Sequence, residues 1–316
     1  MNRPRTSTGQ LLLVSLMGLA VSVVGCHKHP DDKPTVALIV KSLANEFFKT
    51  MEEGARAHHD QHQDEYDLKV IGIKNETDVT QQIECVELVM AQGVDAIVIA
   101  PADSKALVPV CKRAMDAGIV VVNIDNKLDA DVLREKNATI PFVGPDNRKG
   151  AAMAGTYLAD RLQRGDEVAI IEGAPNAFNG IQRKQGFEDA MQAAGMNVVS
   201  SQTGYWETDK AQPVASALIN GHPDLKAILC ANDSMALGAV AALRDAGKGR
   251  SVYVIGFDNI AAAQRLLKEG RILCTVDQHA DKLASFGIEH ALQMLKGEAA
   301  GVDQETPVDL ITAEML

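Results

Sequence analysis

Aromatic rings are scarce in this chain, at 4% of 316 residues, with one tryptophan, four tyrosines and seven phenylalanines. A paired Phe47-Phe48 and a solitary Trp206 are therefore conspicuous. Positive charge is also short: 31 basic residues face 42 acidic ones. Such a surface repels phosphate backbones and anionic lipid heads, which argues against a nucleic-acid partner. The five cysteines show no C-x-x-C spacing, so no zinc or redox motif is present. A G-x-G-x-x-G phosphate cradle is absent as well, and arginines do not cluster as an anionic ligand would require. No cofactor is expected. The longest apolar stretch near the N-terminus, Leu11 to Val24, is too short for a comfortable membrane span.

That stretch follows Arg3 and Arg5, contains no acidic residue and ends on small residues before Cys26, the layout of an export signal. "VVGC" resembles a bacterial lipobox, in which residues 1–25 are removed and Cys26 is lipidated. Removal would leave 29 basic and 42 acidic residues, and "HKHPDDKP" within residues 26–34 reads as a polar tether. The expected location is the periplasm or the outer face of the cytoplasmic membrane, touching the membrane only through this anchor. Cys85 and Cys111 fall in helix-like segments, Cys230 and Cys274 in strand-like ones. Four cysteines permit three pairings, but their apolar neighbours favour buried thiols.

From Thr35 onward, apolar β-branched runs alternate with amphipathic segments: "TVALIV", "LKVIGI", "DAIVIA", "IVVVNI", then "EVAIIE", "MNVVSS", "KAILCA", "VYVIGF" and "RILCTV". Runs apolar on both faces suit parallel strands covered by helices on each side. The intervening segments open on Asp and close on Gly, as in "DSMALGAVAALRDAG". The class is α/β, with two doubly wound parallel-sheet lobes placed before and after "IPFVGPDNRKG". Ligands of such sheets bind beyond the carboxyl ends of the strands.

The residues at those ends are polar and varied: Lys41, Asp125-Asn126, "GAPNAFNG", Asn232-Asp233, Phe257-Asp258 and Asp277-Gln278, with Asn45, Phe47, Phe48, Asn147 and Trp206 nearby. Singly, each has a plain structural explanation, since Asp and Asn at such junctions cap helices. Together on facing edges they would line a cleft with amides, carboxylates and aromatic faces. This suits a sugar, whose hydroxyls both donate and accept and whose C–H face is apolar. "HHDQH" puts His58 and His62 one helical turn apart, yet the glutamate of H-E-x-x-H and a third ligand are missing, so no metal site is expected.

From Thr35 to its end the chain resembles the periplasmic sugar-binding proteins of ABC transporters in the ribose-binding group, most closely the allose-binding branch. The resemblance rests on "VKSLANEFF", "VVVNIDNKLDADVL", "GPDNRKGA", "EVAIIEG", "GYWETDKA", "ILCANDSMALG", "VIGFD" and "TVDQHAD" in order. It implies a type I periplasmic binding protein with a three-segment hinge near residues 144, 278 and 309. The first lobe would hold residues 35–144 plus 279–309, the second 145–278 plus 310–316. It further implies that Lys41 and Asn45 bind hydroxyls and Phe48 stacks on the ring beside Phe47. Asp125 and Asn126 would join them, while Trp206, Asn147, Asn232, Asp258 and Gln278 close the cage.

Departures from the family bear on specificity. Asn126 stands where allose-like members carry Glu and ribose binders Arg, and Ile181 takes the place of a ribose-binder arginine, leaving Asn176 and Asn179 as substitute contacts. Lys41 and Trp206 favour the allose-like branch. The function implied is hinged capture of a monosaccharide by a monomer, without chemistry, and delivery to an ABC permease. A sugar or autoinducer receptor for a sensor kinase or chemoreceptor fits the same residues.

Overall fold

The computed structural model describes Met1, residues 33–298 and residues 301–316. Apart from Met1, the expected signal lies outside the described residues, as do Cys26 and the tether up to residue 32.

The apolar runs form two six-stranded sheets. The first holds β1 (Thr35–Ser42), β2 (Asp67–Ile73), β3 (Ala96–Ile99), β4 (Val120–Ile124), β5 (Phe142–Pro145) and β11 (Gln304–Thr306), in the order β11-β5-β4-β3-β1-β2 and parallel throughout. The second holds β6 (Glu167–Glu172), β7 (Asn197–Thr203), β8 (Ala227–Cys230), β9 (Tyr253–Ile255), β10 (Cys274–Asp277) and β12 (Asp309–Thr312), in the order β12-β10-β9-β8-β6-β7. Only the β10–β12 pair in it is antiparallel. The helices are α1 (Glu46–Gln61), α2 (Val79–Ala91), α3 (Val108–Asp116), α4 (Ala130–Glu135), α5 (Asn147–Ala159), α6 (Phe178–Ala194), α7 (Thr208–Gly221), α8 (Asp233–Asp245), α9 (Ala261–Lys268) and α10 (Ala280–Leu295).

The double-sided apolarity of β1 has a direct structural cause. Val36 to Val40 are wholly buried, and alternate side chains enter different cores. Val36, Leu38 and Val40 join Met51 of α1 and Leu283 and Ile288 of α10. Ala37 and Ile39 join Val86 and Val89 of α2 and Cys111 of α3. Local signals set the helix starts: Asn45, Asp78, Asp146 and Asn232 each accept a backbone N–H in the first turn of α1, α2, α5 and α8. The cap of α8 is thus Asn232. Asp233 opens the helix as expected, and its buried carboxylate accepts from Thr275 Oγ1 at 2.7 Å and Ile260 N at 3.0 Å.

The chain passes between the sheets three times, between β5 and α5, between β10 and α10, and between β11 and β12. Residue 309, expected at the last crossing, already belongs to β12 of the second sheet. "IPFVGPDNRKG" is not a bare connector, because it supplies β5 and the start of α5. Cys85, Cys111, Cys230 and Cys274 are free and buried. The His58 and His62 rings stack at 4.2 Å, with His58 Nδ1 2.9 Å from Tyr66 Oη. Among the described residues no group of three His, Cys, Asp or Glu could hold a metal ion.

α10 docks against α1 and the first sheet, returning the chain to the first lobe. The approach is close: a Cβ on Gly54 of α1 would lie 2.1 Å from the Asp281 carbonyl oxygen. Gly54→Ala is therefore expected to destabilise the protein by about 1–3 kcal/mol through overpacking. Urea unfolding checks this, and an unchanged midpoint would show that the contact yields freely.

Candidate ligand-binding cleft between the lobes

The carboxyl ends of the two sheets face each other across a closed cleft. Ten of the thirteen residues singled out in the sequence line one cavity there: Lys41, Asn45, Phe47, Phe48, Asp125, Asn179, Trp206, Asn232, Asp258 and Gln278. Two further lining residues, Glu76 and Arg183, were not foreseen. Three of the thirteen lie outside the lining: Asn126, Asn147 and Asn176.

Each of those three has another task. Asn147 accepts from Arg183 Nε at 2.8 Å, so it positions the guanidinium. Asn126 accepts from Ser104 Oγ and from Asn179 N, both at 3.2 Å, and its amide donates to Pro101 O. Asn176 is exposed and donates to Asp103 Oδ2 at 2.5 Å, while its carbonyl accepts from Ser104 N at 3.1 Å. Phe178 N completes this patch by donating to Ser104 Oγ at 2.9 Å. Asn126 and Asn176 therefore fasten the first lobe to the second at the edge of the cleft. A separate fastening lies on the other side, where Glu46 Oε2 accepts from Ala262 N at 3.0 Å and so caps α9, whose own N-cap, Ile260, gives no side-chain bond.

The site does contain an arginine, although not at position 181. Ile181 is exposed, whereas Arg183, two residues further along α6, is 2% exposed and points into the site. Its Nη1 donates to Ala231 O at 2.9 Å and to Asp258 Oδ1 at 3.3 Å, and its guanidinium lies 3.7 Å from the Phe257 ring centroid. On the opposite wall, Lys41 Nζ lies 3.5 Å from Asp125 Oδ2 and 3.7 Å from Glu76 Oε2. The ammonium sits between two rings, 5.1 Å from the Phe48 centroid and 5.4 Å from that of Trp206. Phe47 packs edge-on against Phe48.

Asn45 and Asn232 are helix caps as well as cavity walls. Their oxygens accept Phe47 N and Met235 N, while their amides donate to Glu76 Oε1 and to the Trp206 carbonyl. Gln278 Nε2 donates to Asp258 Oδ1 at 2.7 Å. Three lining atoms remain buried with neither a hydrogen bond nor an ion pair, Asn179 Oδ1, Trp206 Nε1 and Gln278 Oε1, while Asp125 Oδ2 has the Lys41 ammonium alone. Buried polar atoms are nearly always satisfied, so these three atoms of the second lobe offer one donor and two acceptors to a polar group in the cavity.

The backbone is strained at the same place. Asp125, Trp206 and Asp258 adopt φ of 60°, 71° and 116°, a region disfavoured for residues bearing a Cβ. The indole needs two glycines: a Cβ on Gly173 would lie 2.1 Å from it, and one on Gly180 3.0 Å.

Among proteins of known kind, a family model for the periplasmic binding protein domain matches residues 36–299. The chain belongs to that family. A D-ribose/D-allose-binding protein of Pseudomonas aeruginosa is 57% identical over 291 residues, 91% of each chain. A solute binding protein of an ABC transporter from Actinobacillus succinogenes, solved with bound D-allose, is 34% identical, covering 90% of this chain and 99% of its own, with a TM-score of 0.85. Another from Burkholderia multivorans, its unknown ligand built as α-D-erythrofuranose, is 57% identical, covers 89% of this chain and all of its own, and superposes with a TM-score of 0.87. These relatives are binding proteins of transport systems, not enzymes.

Burial pushes the carboxyls of Glu76 and Asp258 up to about 7, against the opposing pull of Lys41 and Arg183 respectively. An acid whose folded value exceeds its unfolded one stabilises the fold fully below the unfolded value and loses that stability as pH rises through the folded one. For Glu76 the window runs from 4.5 to about 7. The thermal midpoint of Glu76→Gln is expected to fall less than that of the parent across this window. Superimposable profiles would remove Glu76 from the titration.

Proposed function

We propose that this protein is an extracytoplasmic solute-binding lipoprotein. It captures a monosaccharide of the allose or ribose type between its lobes and delivers it to an ABC permease. The observation that carries the reading is the set of unpartnered polar atoms on Asn179, Trp206 and Gln278 of the second lobe, which share one cavity with the Lys41–Asp125 pair of the first and are flanked by the Phe48 and Trp206 rings. Sugar hydroxyls supply donors and acceptors to such atoms, and hydrogen bonds involving charged groups contribute about 1.5–3 kcal/mol each. The names of the relatives point to the same ligand class.

The closed cleft leaves about 10 Å³ of free space, about the least that one water needs. A pyranose therefore enters only after the lobes part, and it takes the position between Phe48 and Trp206 that the Lys41 ammonium fills. Hinge motion at the three crossings, with the Asn176–Ser104 and Glu46–Ala262 fastenings broken and remade, provides that access. Cys26 places the anchor at the end of a short tether.

Titration calorimetry with D-allose and D-ribose tests the reading. At least one is expected to bind with a dissociation constant near micromolar, about −8 kcal/mol. Asp125→Ala or Asp258→Ala weakens it at least about tenfold, equivalent to 1.4 kcal/mol. Absence of heat with both sugars, or undiminished affinity in both variants, would overturn the assignment. Cys26→Ala is expected to move the protein from the membrane fraction to the soluble periplasmic extract, and retention with membranes would refute the anchor.

A further inference from the structure

The second lobe holds another cavity, at the end of its sheet opposite the cleft. It lies beside the start of β9, the residues leading into β10 and the end of β12, with an apolar floor that includes Val254 and Leu273. Its volume of about 370 Å³ falls within the roughly 300–1,000 Å³ typical of small-molecule sites. Its rim carries Arg161, Arg250 and Arg271, together with Tyr157 and Tyr253.

In a chain with 11 more negative than positive charges, this gathering is unusual because none of the three guanidiniums has a carboxylate partner among the described residues. Arg161 donates to the Tyr157 carbonyl and stacks at 3.7 Å on the Tyr157 ring; Arg250 donates to the Glu269 carbonyl. Arg271 Nε is buried and has no acceptor at all. The lone carboxylate on the lining, Glu314, forms no ion pair with any of them. Fixed guanidinium forks match the geometry of carboxylate and phosphate oxygens, and tyrosine faces beside an apolar floor match a flat ring.

We propose that this cavity is a second ligand site, specific for a small oxyanion joined to a planar ring, such as an aromatic carboxylate or a nucleoside monophosphate. The oxyanion supplies the acceptor that Arg271 Nε lacks and is shared with Arg161 or Arg250. The ring lies over the apolar floor against Tyr157 or Tyr253. Binding here is separate from the interlobe cleft, because every lining residue belongs to the second lobe.

Calorimetry on the mature protein with benzoate, adenosine 5′-monophosphate and uncharged adenosine tests this. At least one of the two anions is expected to bind with a dissociation constant at or below about 1 mM, more weakly at higher salt, while adenosine gives no heat. Arg271→Gln and Arg161→Gln are each expected to weaken it several-fold. Their thermal unfolding without ligand shows whether the fold is intact. Failure of both anions to bind, equal binding of adenosine, or unchanged affinity in two folded variants would overturn the proposal, and none of these outcomes bears on sugar binding in the cleft.

Discussion

Two cations and three carboxylates share a buried space, and the architecture of the cleft follows from keeping them paired. Removing a charge from water costs several kcal/mol unless partners replace the solvent. Lys41 meets this with Asp125, Glu76 and two ring faces, and Arg183 with Asp258, the Ala231 carbonyl, Asn147 and the Phe257 ring. Each cation takes its principal carboxylates from its own lobe. The lobes can therefore separate without stranding a charge, which a cross-lobe salt bridge in the same position would prevent.

Holding those groups at the strand tips requires backbone conformations that chains avoid. Asp125 and Asp258 stand at corresponding points of the two sheets, each just past a strand and each with positive φ. Such strain, about 1–3 kcal/mol per residue, persists only where surrounding structure over-determines it. Here the cores behind β1, β3 and β8 do so, with side chains wholly buried on both faces. The rigid sheets thus carry the strain, and the hinge segments are left to move.

The sheets were legible because burial on both faces writes itself as unbroken apolar runs, whereas β5, β11 and β12 were not. β5 is four residues of "FVGP", and β11 and β12 are short, partly exposed edge strands whose pairing depends on distant segments. The site was legible where a strand ended on a polar residue. Glu76 escaped because it lies three residues past β2, in "KNETD", a strand end left unread. Arg183 escaped because it lies inside α6, beyond the strand-end loop "APNAFNG". Four positions beyond Asn179 on α6, it shares that residue's helical face, and this spacing was the available signal. Asn126, Asn147 and Asn176 look like ligand residues in sequence because an amide at a lobe edge serves a hydroxyl and a neighbouring lobe equally well.

The fastenings and the orphaned atoms work against each other. The bonds from Asn176, Phe178, Asn179 and Ala262 across to the first lobe contribute about 1 kcal/mol each, less where water competes. The buried atoms without partners on Asn179, Trp206 and Gln278 carry a penalty of about 1–3 kcal/mol each. The fastenings favour closure, and the unpartnered atoms oppose it. A ligand that satisfies those atoms removes the penalty, and the fastenings are remade around it. Its differential affinity for the closed form then sets the position of the hinge. Geometry of this kind lets a few hydroxyl contacts, worth little individually, decide the state of the whole molecule.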